Sequence, residues 1–224
     1  MTINNEPLTA AGARSVLTSA DTASRALLVK AHWIFMTWAV AWLVGYLAIW
    51  WSTRSQTPYQ GPEPWSLVTL TVSLAVALAV NIALVVRAMH GVTGRSRQIG
   101  NYYALTWVVG MCGWASVQAT LARLDIPAGA IGILNCVVPA LLVATIYVAS
   151  AGIWMQPAGV GAERRDPRRT RGIGPAFLVS GMCFALGAVI GAGAGPATAA
   201  LVIGVVGAAG CAAGAVIAGM SGRL

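Results

Sequence analysis

Gly161–Gly174, reading GAERRDPRRTRGIG, carries Arg164, Arg165, Arg168, Arg169 and Arg171, five of the fourteen basic residues of the chain. On both sides the sequence turns almost wholly apolar. A dense cationic cluster between long uncharged runs is the pattern of a cytoplasmic loop in a polytopic membrane protein, because short loops rich in Lys and Arg stay on the cytoplasmic side. C-terminal to it, Gly172 to Gly222 contains no charged residue over 51 positions. A single span takes roughly 20 residues, so this run holds two, with Gly193, Gly195 and Pro196 as the turn between them.

Composition agrees. Of 224 residues, 58% are hydrophobic and 9% charged, against roughly 25% charged in a soluble domain. So few charges cannot solvate a globular surface of this size. The net charge of +8 could indicate nucleic acid, but the Arg residues sit in short loops between apolar runs. Anionic lipid headgroups are the counter-charge that this placement implies, and nucleic acid is excluded as a partner.

Working back toward the N-terminus, the apolar runs fall at about Trp33–Ser52, Trp65–Val86, Asn101–Ala122 and from Ala128 to near Trp154. The expected fold is an all-α integral membrane protein of six transmembrane helices in three consecutive hairpins. With six spans both termini share a side. Placing them in the cytoplasm leaves only Arg54 and Arg123 outside, so the expected location is the inner membrane of a bacterium. Residues 1–31 form a cytoplasmic segment, in which Ala13–Ala31 has the spacing of an amphipathic helix that lies on the membrane surface or leads into the first span. Residues 32–156 form a Trp-rich four-helix part, 157–174 the basic loop, and 175–224 a Gly/Ala-rich hairpin. Two loops end alike, Arg95-Ser96-Arg97-Gln98-Ile99-Gly100 and Arg169-Thr170-Arg171-Gly172-Ile173-Gly174, which raises the idea of a repeated hairpin.

The spans hold no Asp, Glu, Lys or Arg in their interiors. Intramembrane ionisable groups mark proton relays and ion-coupled transport, so their absence disfavours a proton-coupled antiporter and carboxylate catalysis. An enzymatic role is not expected, and no cofactor is. Cys112, Cys136, Cys183 and Cys211 all lie in apolar runs without CxxC spacing, as buried free thiols do.

Three constellations remain. Gln118 and Asn135 flank the turn between the third and fourth spans at similar depth, and Pro139 removes the amide that would bond the carbonyl of Asn135. With Ser116, Arg123 and Asp125 they form a candidate polar pocket opening outward; the competing reading is an interhelical hydrogen bond between two amides. His32 and His90 both lie at the cytoplasmic boundary, a weak candidate pair for a metal or haem. Gly187, Gly191 and Gly195, with Gly210 and Gly214, have the four-residue spacing of closely packed helices, within the chain or in a homo-oligomer.

In span count and order, though not in residues, this plan resembles the permease subunits of exporter-type ABC systems. The resemblance implies a membrane subunit of a transport system that needs a separate cytoplasmic ATPase, docked by the Met89–Gly100 region. The alternatives are a non-transporting scaffold, sensor or accessory subunit and, more weakly, a membrane enzyme or haem-binding redox subunit. The orientation is testable from the Arg cluster alone. Replacing its five Arg by neutral residues should disturb insertion of the last hairpin in a reporter-fusion topology assay; unchanged topology would refute the role given to the cluster.

Overall fold

The computed structural model describes residues 10–88, 95–121, 123–124, 126–155 and 172–221, with side chains except at 10–29, 88, 95–100, 103, 118 and 221. The five Arg of the opening stretch, His90 and Asp125 lie outside the described residues, and so does the side chain of Gln118. All described regular structure is helical: α1 (Ala10–Thr53), α2 (Pro64–Ala88), α3 (Arg95–Leu121), α4 (Ala128–Met155), α5 (Ile173–Ala192) and α6 (Pro196–Ser221). Each contains a stretch long and apolar enough to cross a membrane. This is the architecture of a polytopic membrane protein.

Local chemistry sets the boundaries. Pro64 and Pro196 occupy the first positions of α2 and α6, where a missing amide costs nothing. The Ser66 hydroxyl donates to the Glu63 carbonyl at 2.7 Å and helps to close the first turn of α2. The linker after α1 is organised by Gln56. Its amide nitrogen donates to the carbonyls of Ser52 (2.8 Å) and Gly61 (2.9 Å), and its oxygen accepts from the Gln60 amide at 3.0 Å. Gly61 has φ of +102°, a conformation open to Gly at little cost.

The amphipathic segment is not a separate surface helix. It is the first part of α1, which runs unbroken for 44 residues, about 66 Å at 1.5 Å per residue. Its apolar part is Lys30–Thr53. The echo between the two basic loops also ends differently in the two places. Arg95–Gly100 is helical from its first residue, whereas α5 starts only at Ile173.

The neighbours run α2, α1, α6, α5, α4, α3, with α6 also touching α4. The last hairpin is therefore wedged between α1 and α4, while α2 and α3 are flanking helices. Lys30, the Arg87 end of α2 and the start of α5 share one end of the bundle, called here the basic end.

Close approach is concentrated where side chains are small. At Gly187 and Gly191 an added Cβ would stand 3.3 Å from the Cα atoms of Ile203 and Ala199 on α6. Gly214 lies against Ala176 of α5 and Phe35 of α1, and Gly210 against Ser180 and Cys183. Ser180 donates to the carbonyl of Ala176 at 2.8 Å and lies 3.2 Å from that of Gly210, which links the two helices. Gly195 falls outside this interface. It lies in the turn, with nothing within 4 Å of where a Cβ would be, because α5 already ends at Ala192.

The contrast gives a prediction. Gly191→Leu would force backbone apart and should cost about 2 kcal/mol, read as a lowered midpoint in reversible detergent unfolding. Gly195→Ala should leave that midpoint unchanged or slightly raised.

Candidate functional site

At the basic end, a small, partly open indentation with about 10 Å³ of free volume lies between four helices. Its wholly apolar walls include Ile34 and Phe35 of α1, Val85 of α2, Trp154 of α4, and Ile173 and Phe177 of α5. The indentation lies where α2, packed chiefly on α1, stands beside the ends of α4 and α5.

Aromatic rings close it inward. Trp38 stacks on Trp107 with centroids 4.3 Å apart and planes within 13°. Tyr147 meets Trp107 edge-on at 5.2 Å and stacks on Phe184 at 5.7 Å. Phe184 in turn meets the edge of Trp42 at 5.1 Å. All five are buried. They come from α1, α3, α4 and α5, and they fill the space where α1 stands away from α4. Each ring pair adds roughly 0.5–1.5 kcal/mol beyond area burial.

Polar atoms in this interior are few, neutral and incompletely paired. Trp38 Nε1, Trp42 Nε1 and Ser150 Oγ have no hydrogen-bond partner among the described residues. Asn81, 1% exposed, meets Thr37 Oγ1 at 3.2 Å through its side-chain oxygen, leaving its nitrogen unmatched. Yet the Thr37 hydroxyl lies 2.9 Å from the carbonyl of Ile34 and has one proton to give. Turning the amide over lets Asn81 donate to Thr37 while Thr37 donates to Ile34, and carboxamide orientation is assigned from such networks. Either way one amide atom of Asn81 is unmatched. Trp38, Asn81 and Ser150 each lie four residues, one turn, inward of a residue lining the indentation: Ile34, Val85 and Trp154 respectively.

Of the pocket expected between α3 and α4, only Ser116, Arg123 and Asn135 have described side chains. Ser116 is exposed and bonds back to the Cys112 carbonyl of its own helix at 2.9 Å; Arg123 is exposed as well. Asn135 is half-buried on α4. In backbone register, Gly110 faces Ile146 and Gly113 faces Leu142. Continued along the hairpin, that register sets Gln118 level with Val138, about a turn from Asn135.

His32 is half-buried, with its ring 5.0 Å from that of Trp33 and its Cβ near Gly219 of α6. The α2-facing position Ala41, whose carbonyl accepts from Ser73 at 3.1 Å, is nine residues further on, about two and a half turns. His32 therefore sits on the side of α1 opposite to α2, the helix that leads to His90. Among the described residues no group of three or more His, Cys, Asp or Glu could hold a metal ion.

At the opposite end, the Arg54 guanidinium lies 3.3 Å from the centroid of the Trp51 ring, a cation–π contact. Tyr59 packs on Gly132 beside Pro196. Burial, and then nearby Cys136, pushes the Tyr59 phenol up to about 12. This end is spanned by the Gln56-organised linker.

The aromatic layer was not foreseen beyond Trp38 and Trp42 as packing residues. Its partners Trp107, Tyr147 and Phe184 have no distinguishing spacing; the signal available was their common depth in the spans. Compared with protein-family models, curated proteins and solved structures, the chain finds no match.

If the ring stack carries the interior, Trp38→Ala should cost about 3 kcal/mol or more. Asn81→Leu should cost under about 1 kcal/mol, the scale of an interhelical hydrogen bond in a membrane. Reversible unfolding in mixed micelles would rank them, and the opposite order would shift the weight to the amide.

Proposed function

We propose that this chain is a non-catalytic membrane subunit of a larger assembly, with both termini and the Arg-rich loop on the cytoplasmic side of a bacterial inner membrane. The observation that carries the reading is the filled interior. Rings from α1, α3, α4 and α5 interlock at the centre, and the side chains buried with them are neutral. A solute path needs a polar lining or a cavity near mid-bundle, and the described centre is occupied by Trp38, Trp107, Tyr147 and Phe184. The orientation rests on twelve of the fourteen basic residues falling on one side of six spans.

A specific observation favours a second reading, the permease subunit of a transport system driven by a separate ATPase. About 20 residues of α1 continue beyond its apolar stretch. A rigid projection of that kind, next to a basic loop, is a suitable dock for a cytoplasmic motor. In this reading the aromatic layer is the closed state of a gate.

One purification separates them. Taken from native membranes in mild detergent, the chain should carry a second polypeptide in fixed stoichiometry, lost when residues 1–29 are deleted. A partner with ATP hydrolysis coupled to solute movement in liposomes selects the permease. A chain that purifies alone and moves a solute or ion unaided sinks both subunit readings.

A further inference from the structure

Before the apolar stretch that begins at Lys30, α1 has a helical arm, residues 10–29. Eighteen residues make five turns of α-helix, so each position of the arm repeats the direction of the residue eighteen places later. Val16, Leu17, Ala20 and Leu27 repeat Ile34, Phe35, Trp38 and Gly45, all of which are buried. Ser15, Thr18 and Thr22 repeat Trp33, Met36 and Val40, all of which are exposed. The inner line of α1 therefore stays apolar past the bundle. Its outer line changes from large apolar residues to hydroxyls, as a helix leaving a bilayer for water requires.

Within the bundle the inner line packs on α5 and α6. Phe35 meets Phe177 at 4.7 Å and Trp42 meets Phe184 at 5.1 Å, while Gly214 and Gly204 lie against Phe35 and Tyr46. Both helices stop where the arm begins. α5 starts at Ile173, and α6 ends at Ser221, two residues after Gly219, which lies beside His32. The sequence joining α4 to α5, residues 156–171, brings five Arg and one large aliphatic residue, Val160, and is unsuited to cover an apolar face.

Charge sets the chemistry of what does. On the cytoplasmic side of the proposed topology stand twelve basic and four acidic residues, against two of each on the other side. Headgroups answer the cations beside the bilayer. Arg14, however, precedes Lys30 by 16 residues, about 24 Å along the helix and roughly three Debye lengths at physiological salt. Arg14 and Arg25 repeat His32 and Leu43, both half-buried, so they flank the inner line, and Asp21 is the only acidic residue of the arm.

We propose that the inner line of the arm, residues 13–28, is the docking surface for an amphipathic helix of a second polypeptide, with an apolar stripe of its own and acidic residues beside it. The inference rests on the subunit reading above and gives the partner its chemistry. A second copy of this chain would set Arg14, Arg25 and Lys30 against their own kind. The bilayer surface is out of reach, because from Ala13 to Val44 neither Pro nor Gly bends the helix toward it.

Docking is read with the full-length chain in phosphatidylcholine nanodiscs and a fluorescent synthetic helix of about three heptads, with Leu at a and d and Glu at e and g. Its anisotropy should rise on nanodiscs that carry the chain and not on empty ones. Leu17→Glu with Leu27→Glu should weaken binding about 10-fold or more, since each sets a charge against apolar surface. Thr18→Glu with Thr22→Glu makes the same charge change on the outer line and should stay within about threefold of wild type. Glu is a good helix former, so circular dichroism should find both pairs as helical as wild type. A Lys-flanked version of the peptide should bind about 10-fold more weakly than the Glu-flanked one. Equal losses from the two pairs, or equal binding of the two peptides, would overturn the docking face. So would a wild-type dimer that the inner pair dissociates, which would give the face to a second copy. Purification from native membranes separates this inference from the one beneath it. A partner kept by the outer pair and lost by the inner pair supports both. A partner kept by both pairs overturns the docking face and leaves the subunit reading standing, whereas a wild type that purifies alone removes both.

Discussion

The stack of Trp38 on Trp107, with ring centroids 4.3 Å apart, is the contact on which closure of this bundle depends. Backbone contact joins α3 to α4 and α2 to α1, but α3 and α1 do not approach along their length. Two indoles bridge the distance. Inside a bilayer, apolar side chains gain nothing from leaving water, because lipid is as apolar as a neighbouring helix. Cohesion has to come from contact geometry. Large flat rings in parallel stacking supply dispersion over a wide face, and Trp is the largest such ring available.

The rest of the molecule solves the same problem in the opposite way. Between α5 and α6 the side chains shrink to Gly, Ala and Ser, so that backbones touch and Ser180 can reach a carbonyl across the interface. The hairpin enters as a thin wedge between α1 and α4. Its outer faces carry the larger residues, Val189, Ile190 and Val216. Thin helices on one side and wide rings on the other fill one interior. That complementarity explains why Phe184, the bulky residue of α5, projects toward Trp42 and Tyr147, while Gly207 on α6 leaves room for its ring.

Much of this was legible in the chain. Six helices follow from hydropathy and length, and the turns from Pro64, Gly193 and Pro196. Of the two readings of the N-terminal segment, the one in which it leads straight into the first span holds, because nothing between Ala13 and Val44 interrupts the helix. What failed did so for identifiable reasons. Gly195 shares the spacing of Gly187 and Gly191, but spacing cannot tell the last turn of a helix from the loop after it. Above all, the pairing of Trp38 with Trp107 joins helices that are not consecutive. Periodicity reports the buried side of a helix and not its partner, so the indentation beside α2 could not be read either.

The continuity of α1 has a mechanical meaning. Helices bend sharply at Pro, at Gly or where a side chain intrudes, and from Ala13 to Val44 this one has neither Pro nor Gly. It behaves as a single stiff lever with its fulcrum in the bundle. The projecting arm is comparable in length to the part within the apolar layer. Trp38 and Trp42 lie only 8 and 12 residues inside Lys30, against an outer arm of about 20, so a sideways displacement at the far end reaches their rings reduced to roughly half.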